Sequence, residues 1–520
     1  MPVKQRYFVL ACLFVLLAGA VGMAQDAESD AARNATPAAD VGKPAAPRER
    51  ISVTHHTLVL NGQSIHYTAT AGTLIVRDGQ DKPYGSFFYV AYTQDDAVQK
   101  TRPVTFLYNG GPGSSSLWLH MGSFGPVRIE TDSPQPTPPA PYHLVPNQYS
   151  LLDKTDLVFI DAMGTGFSRP VALGTLKEFL GVDQDVLAFN RFIGRYLTVN
   201  QRWNSPKFLI GESYGATRSA ALAYSLEKSG IALNGVVLVS SNLNHNGHAP
   251  GLDNAYINGL PSYAAIAWYH DKLANKPSDL KSFLDQVRTY ARGPYAEALA
   301  QGQNLSTAEE DQVAKNLSEM TGLSVQYLKQ SNLRVSASDF RKELMRGDRR
   351  TLGRYDARFE GIDASAVGET PGYDPSSTGI TGAFVAAFQS YLADELKYTT
   401  SEIYHVTAYG PNFQWDWRHT PPEGSSDQGR ELVPDVALDL GAAMRQNPHL
   451  QLFSANGYFD LATPFFQTEY DIAHMELDPT LRKNIRFGYY LSGHMIYLNA
   501  DALKQLKDDL AQFYSAAVMR

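Results

Sequence analysis

Four short, uninterrupted apolar runs constrain this chain more than any other feature. Residues 104–108 (Val-Thr-Phe-Leu-Tyr), 157–160 (Leu-Val-Phe-Ile), 208–210 (Phe-Leu-Ile) and 236–239 (Val-Val-Leu-Val) are too short for buried helices. None alternates polar with apolar, so each predicts a strand buried on both faces. Amphipathic helical patterns over about 175–199 and 216–228 separate them. Strands of this kind between helices specify an α/β fold, a mostly parallel sheet with helices on both faces.

The flanking segments refine that plan. Residues 51–60, 65–76 and 86–92 are β-rich and broken by Asn61-Gly62 and Gly79, which predicts an antiparallel meander. The strand–helix rhythm stops over 245–430, where helical patterns at 278–292, 308–321 and 383–396 read as a mostly helical cap insertion. It resumes over 431–520 with strand signals at 450–454 and 485–490 and a closing helix at 502–519. The core is thus expected in two parts, 51–244 and 431–520.

At the N-terminus, Lys4 and Arg6 precede an apolar run from Tyr7 to Ala20, and Gly22-Met23-Ala24 supplies small residues at a cleavage site. Residues 1–24 therefore read as a secretory signal peptide, and the Ala-, Asp- and Pro-rich residues 25–50 as a flexible linker. Cys12 is the only cysteine and falls in the signal segment. The expected mature protein has no disulfide, no thiol nucleophile and no cysteine-ligated metal, a composition that suits the bacterial periplasm or exterior. A net charge of −8 offers no broad basic field, so no nucleic-acid partner is expected. No His-Glu-x-x-His or comparable cluster occurs, and neither a metal nor a cofactor is expected. No segment after the signal reaches the length of a membrane span.

Chemistry concentrates at Gly211-Glu212-Ser213-Tyr214-Gly215. An apolar strand enters this pentapeptide and a helix leaves it, the strand–elbow–helix context that lifts a serine hydroxyl clear of a sheet. A serine nucleophile needs a base, and the base an orienting carboxylate. After late strands stand Asp460, following 452–457, and His494, in a Ser-Gly-His loop following 485–490. Asp471 is the rival acid, but it falls within a helical pattern with His474; His449 precedes its strand. The glycine loop Asn109-Gly110-Gly111-Pro112-Gly113 ends an earlier strand, and the amides of Gly111 and Tyr214 are the expected oxyanion hole. Trp415 and Trp417 are candidates for a pocket wall or for plain core.

These pieces resemble the serine carboxypeptidase family, an α/β-hydrolase group with a helical cap, in a divergent bacterial form. The resemblance rests on 109–116, 161–168 (Asp-Ala-Met-Gly-Thr-Gly-Phe-Ser), 211–215, 456–460 and Gly493-His494, in that order. It implies the triad Ser213, Asp460 and His494. It also implies that Asn109 and Glu212 bind the substrate's terminal carboxylate, and hence peptide substrates with a free C-terminus. A carboxylate facing Glu212 requires a shared proton, which predicts activity favouring acid pH. Three features depart from the family: Ser123 stands where a second acid is common, Ile496-Tyr497 replaces a Val-Pro after the histidine, and the disulfides of eukaryotic members are missing. Because a fold and triad do not define the acyl group, an esterase or acyltransferase is the alternative, and a catalytically silent envelope binding protein the third reading.

Overall fold

The computed structural model of the protein describes residues 47–520 except 249–250, 411–412, 426–428 and 519–520. The signal-peptide reading and most of the linker reading fall on residues 1–46, outside the described residues. The last linker residues are ordered: Glu49 accepts from the Ile75 amide (2.9 Å) and pairs with Arg195 (2.7 Å).

One large sheet organises the chain. Its strands are β1 (Ile51–Leu60), β2 (Gln63–Arg77), β3 (Pro83–Gln94), β4 (Val104–Tyr108), β5 (Asp156–Ile160), β6 (Lys207–Glu212), β7 (Gly235–Val239), β8 (Gln451–Gly457) and β9 (Ile485–Tyr490), ordered β1-β2-β3-β5-β4-β6-β7-β8-β9. A short strand, Arg169–Pro170, adds to β3. β1 to β3 are the antiparallel meander, joined antiparallel to β5; β5 to β9 and β4 run parallel.

Alternation along the parallel strands explains their apolar runs. Phe106, Leu209 and Val236 point to one face, where helices Val182–Val199, Tyr214–Lys228 and Ala437–Gln446 cover them. Leu107, Ile210 and Val237 point to the other, covered by Pro375–Asp394 and Ala500–Val518. Both faces exclude water, so no position can be polar without losing roughly 1.5–3 kcal/mol of apolar burial.

The stretch read as a single helical insertion has two packing partners. Helices Asn254–Tyr269, Leu280–Tyr290 and Thr307–Thr321 share a core with Phe459, Leu461 and Phe465 beyond β8. Helix Pro375–Asp394 instead buries Phe384, Phe388 and Tyr391 against the sheet. It also begins eight residues ahead of the periodic segment, with Asp374 as N-cap and Pro375 in the first turn. Helix Asn254–Tyr269 escaped sequence reading because residues 258–267 are all buried and Pro261 interrupts the pattern.

Candidate active site

The elbow forms where β6 ends. Ser213 has φ 62° and ψ −129° and caps the helix Tyr214–Lys228. A non-glycine residue in that region costs on the order of 1–3 kcal/mol, and surrounding packing holds it there. The Asn109–Gly113 loop closes over the elbow: a Cβ on Gly110 would lie 2.4 Å from the amide nitrogens of both Tyr214 and Gly215. Only glycine permits this approach, which brings the loop beside the first amides of the helix. Those amides have no acceptor within the helix, and the N-terminal end of the dipole favours negative charge there.

His494 and Asp460 meet from two loops. His494 Nδ1 lies 2.7 Å from Asp460 Oδ2, and both side chains are buried. Asp460 is itself fixed: Oδ1 accepts from the Ala462 and Thr463 amides, and Oδ2 from Thr463 Oγ1 at 2.6 Å. Thr463 Oγ1 also lies 3.1 Å from His494 Nδ1. Burial pulls the imidazole pKa down, but the charge and hydrogen bond of Asp460, with Glu212, outweigh it and leave the pKa raised.

A further segment clamps the histidine loop. The His494 amide donates to Tyr355 O (2.6 Å), and a Cβ on Gly493 would lie 2.4 Å from that same carbonyl oxygen. Arg358, paired with Asp356, reaches Ser492 Oγ at 3.2 Å. Thr463, Tyr355 and Arg358 were not among the sequence candidates. For Thr463 the signal was Asp460-Leu461-Ala462-Thr463, a side-chain-capped turn whose carboxylate collects amides two and three residues on. Tyr355 and Arg358 carry no local signal.

Asn109 and Glu212 sit together beneath Ser213. Asn109 Nδ2 donates to Glu212 Oε1 (2.9 Å), while Asn109 Oδ1 accepts from the Leu119 amide (2.9 Å), which fixes the carboxamide orientation. The Asn109 carbonyl accepts from Arg218 Nη1 (2.8 Å), and Arg218 is held by Asp185 at 2.6 Å in a fully buried pair. Burial pushes Glu212 up to about 7, against the opposing effect of the His494 charge. The 161–168 motif braces the same loop: Asp161 accepts from the Ser116 amide (2.7 Å), and Ser116 Oγ from the Asn109 amide (3.1 Å).

One cavity of about 220 Å³ brings these groups together. Its lining includes Asn109, Gly110, Gly111, Glu212, Ser213 and His494, with Trp118, Tyr355, Ile380 and Tyr409 on its walls. Asp460 lies behind the imidazole. The Tyr214 side chain turns away, its ring 5.3 Å from that of Trp415 and 6.0 Å from that of Trp417. The two tryptophans therefore back the elbow rather than line this cavity. Asp471 lies elsewhere, accepting from the Leu243 and Asn244 amides and from Gln467.

A parallel sheet with a serine elbow after a central strand, and acid and histidine loops after later strands, defines an α/β-hydrolase. The family description "Serine carboxypeptidase" matches residues 63–363, more than half the chain, and the chain belongs to that family. Curated relatives include the Serine carboxypeptidase-like 36 protein of Arabidopsis thaliana, 33% identical over 89 residues (17% of each chain). The pheromone-processing carboxypeptidase KEX1 of Saccharomyces cerevisiae is 36% identical over 93 residues, 18% of this chain and 12% of that one. The matches thus span under a fifth of either relative. The crystal structure of the Saccharomyces cerevisiae prohormone-processing carboxypeptidase Kex1(delta)p superposes over 86% of this chain and 91% of its own with TM-score 0.51 at 16% identity, a likeness of fold.

Proposed function

We propose that the protein is an exported serine carboxypeptidase that removes C-terminal residues from peptides through an acyl-enzyme. The observation that carries this reading is the placement of the Asn109–Glu212 pair in the same cavity as Ser213 and His494. A nucleophile and base alone serve any acyl transfer; an amide and a raised-pKa acid beside them suit a substrate that ends in a carboxylate there.

In this reading Ser213 Oγ attacks the carbonyl of the last peptide bond as His494 Nε2 takes its proton. Asp460 keeps the other imidazole proton on Nδ1 and stabilises the imidazolium that forms. The Gly111 and Tyr214 amides receive the negative charge on the tetrahedral oxygen, a contribution of about 3–4 kcal/mol per donor. His494 then protonates the departing amine, and water enters by the same steps in reverse to release the shortened peptide. Asn109 Nδ2 and a protonated Glu212 donate to the substrate's terminal carboxylate, so a blocked C-terminus loses these contacts. Export rests on the Lys4–Ala24 segment; among the described residues no helix is long and apolar enough to cross a membrane.

The test uses an N-blocked dipeptide, its C-terminal amide and a simple ester, with Ser213→Ala as control. Release of the last amino acid that needs both Ser213 and the free carboxylate is expected. Hydrolysis of the ester with neither peptide cut would replace the reading with an esterase. Failure of an active-site phosphonate to label Ser213 would replace it with a binding protein.

A further inference from the structure

The acid that faces the cavity has a neighbour that the mechanism above does not use. Tyr497, three residues beyond His494, is buried, and its hydroxyl lies against both Glu212 and Asn109. Its ring is seated in a space left by a missing side chain: a Cβ on Gly122 would lie 2.4 Å from Tyr497 Cδ2 and Cε2. Gly122 and Tyr497 are thus complementary, and a side chain at 122 would displace the ring. The adjacent Ser123 donates to the Leu119 carbonyl, so its hydroxyl proton is already committed within its own helical segment.

The polar atoms left over match one another. Glu212 Oε1 is taken by Asn109 Nδ2, whereas Glu212 Oε2 and Tyr497 Oη are both buried with no partner of full hydrogen-bond geometry. A buried carboxylate oxygen and a buried phenol side by side need little rotation to join, and leaving each unmet would cost more than joining them. We propose that Tyr497 is a positioning residue of the carboxylate pocket, its phenol donating to Glu212 so that one acid backed by a neutral hydroxyl recognises the substrate's C-terminus. The inference rests on the carboxypeptidase reading and specifies how its binding pocket is tuned.

The electrostatic consequence has a definite sign. Glu212 faces His494 and Asp460 from the loops after β9 and β8, Asn109 from the loop after β4, and Tyr497 from the turn beyond the histidine. On segment 120–124, His120 points instead to Tyr92 Oη (2.6 Å). Burial and the nearby Glu212 raise the Tyr497 pKa well above its ordinary value, so the phenol stays protonated and serves as a donor at working pH. A donor to Glu212 favours its ionised form. The pocket needs the protonated form to meet a substrate carboxylate, so Tyr497 sets the pH at which peptide binding fades, and removing its hydroxyl moves that point upward.

The experiment compares wild type with Tyr497→Phe, measuring kcat and KM from pH 5 to 9 for the N-blocked dipeptide, its amide and the ester. The expected result is an alkaline rise in peptide KM displaced upward by about one pH unit in Tyr497→Phe, with kcat and the ester profile kept. The ester activity shows that the variant is folded and its triad intact. An unmoved alkaline limb would reduce Tyr497 to a packing residue and overturn the proposal. Equal losses on ester and peptide at every pH would also overturn it, placing its effect on the triad. If wild type cuts dipeptide and amide equally, the carboxypeptidase reading itself fails and the proposal falls with it, an outcome distinguishable because it appears without any variant.

Discussion

Replacing Asp460 by Asn isolates the imidazole tautomer from everything else at the site. The asparagine oxygen can keep the two bonds from the Ala462 and Thr463 amides that Asp460 Oδ1 accepts now. Its NH₂ then occupies the position of Oδ2, 2.7 Å from His494 Nδ1 and 2.6 Å from Thr463 Oγ1. Thr463 Oγ1 can accept from that group because its own proton has another acceptor in Ser240 O at 2.9 Å. The variant is therefore sterically and polarly satisfied, but it donates to Nδ1 and drives the imidazole proton to Nε2. An Nε2–H imidazole cannot accept from Ser213. A mis-set tautomer of this kind costs about 10³–10⁴ in kcat, or about 4–5.5 kcal/mol of barrier. Asp460 is also what holds the His494 pKa up against burial, so the acidic limb of kcat/KM moves to lower pH in Asp460→Asn. The assay is kcat/KM against pH on both dipeptide and ester, with thermal unfolding to confirm the fold. A loss below ten-fold, with the acidic limb unmoved, would refute the assignment of Asp460 as the group that orients His494.

Glu212→Gln tests the carboxylate pocket from the other side. In wild type the proton on Glu212 is lost as pH rises through about 7, so KM for a free-carboxylate peptide climbs above that pH; the glutamine variant, which cannot ionise, shows no such climb. Ester hydrolysis shows none in either, with only its acidic limb moved to lower pH in the variant because Glu212 helps hold the His494 pKa up. A climb that persists in the variant would exclude Glu212 as its source. Arg218→Met leaves Asp185 buried without its partner and frees the Asn109 carbonyl, and denaturant unfolding should register a loss of about 3–5 kcal/mol. Adding Asp185→Leu should restore most of that stability, because an apolar pair of similar volume replaces the ion pair, while KM for the dipeptide stays above wild type because the Asn109 carbonyl still lacks its Arg218 donor.

The chain's local patterns carried the architecture of the sheet and the identity of the candidate groups. Strands buried on both faces are apolar through their middles, so β4, β5, β6 and β7 announce themselves in three to five residues each. The elbow is legible because a strained serine between close-packed backbones needs Gly211 and Gly215 beside it, and a loop against it needs Gly110. Ser213, Asp460 and His494 could be named because each follows a strand whose end the sequence marks.

What the sequence left open depends on contacts between distant segments, which leave no periodic trace. Whether Pro375–Asp394 packs on the sheet or with the other inserted helices is decided by which apolar face finds it, and its residues suit either. The clamp of Tyr355 on the histidine loop spans more than a hundred residues, as does the Arg218 bond to the Asn109 carbonyl. Tyr497 reads in sequence only as a substitution after the histidine; its meaning comes from Gly122, whose missing Cβ makes room for the ring beside Glu212. Types of residue at local spacing determine which groups are available. The tertiary fold, by fixing which buried polar atoms must satisfy one another in the absence of water, decided which of those groups lie together.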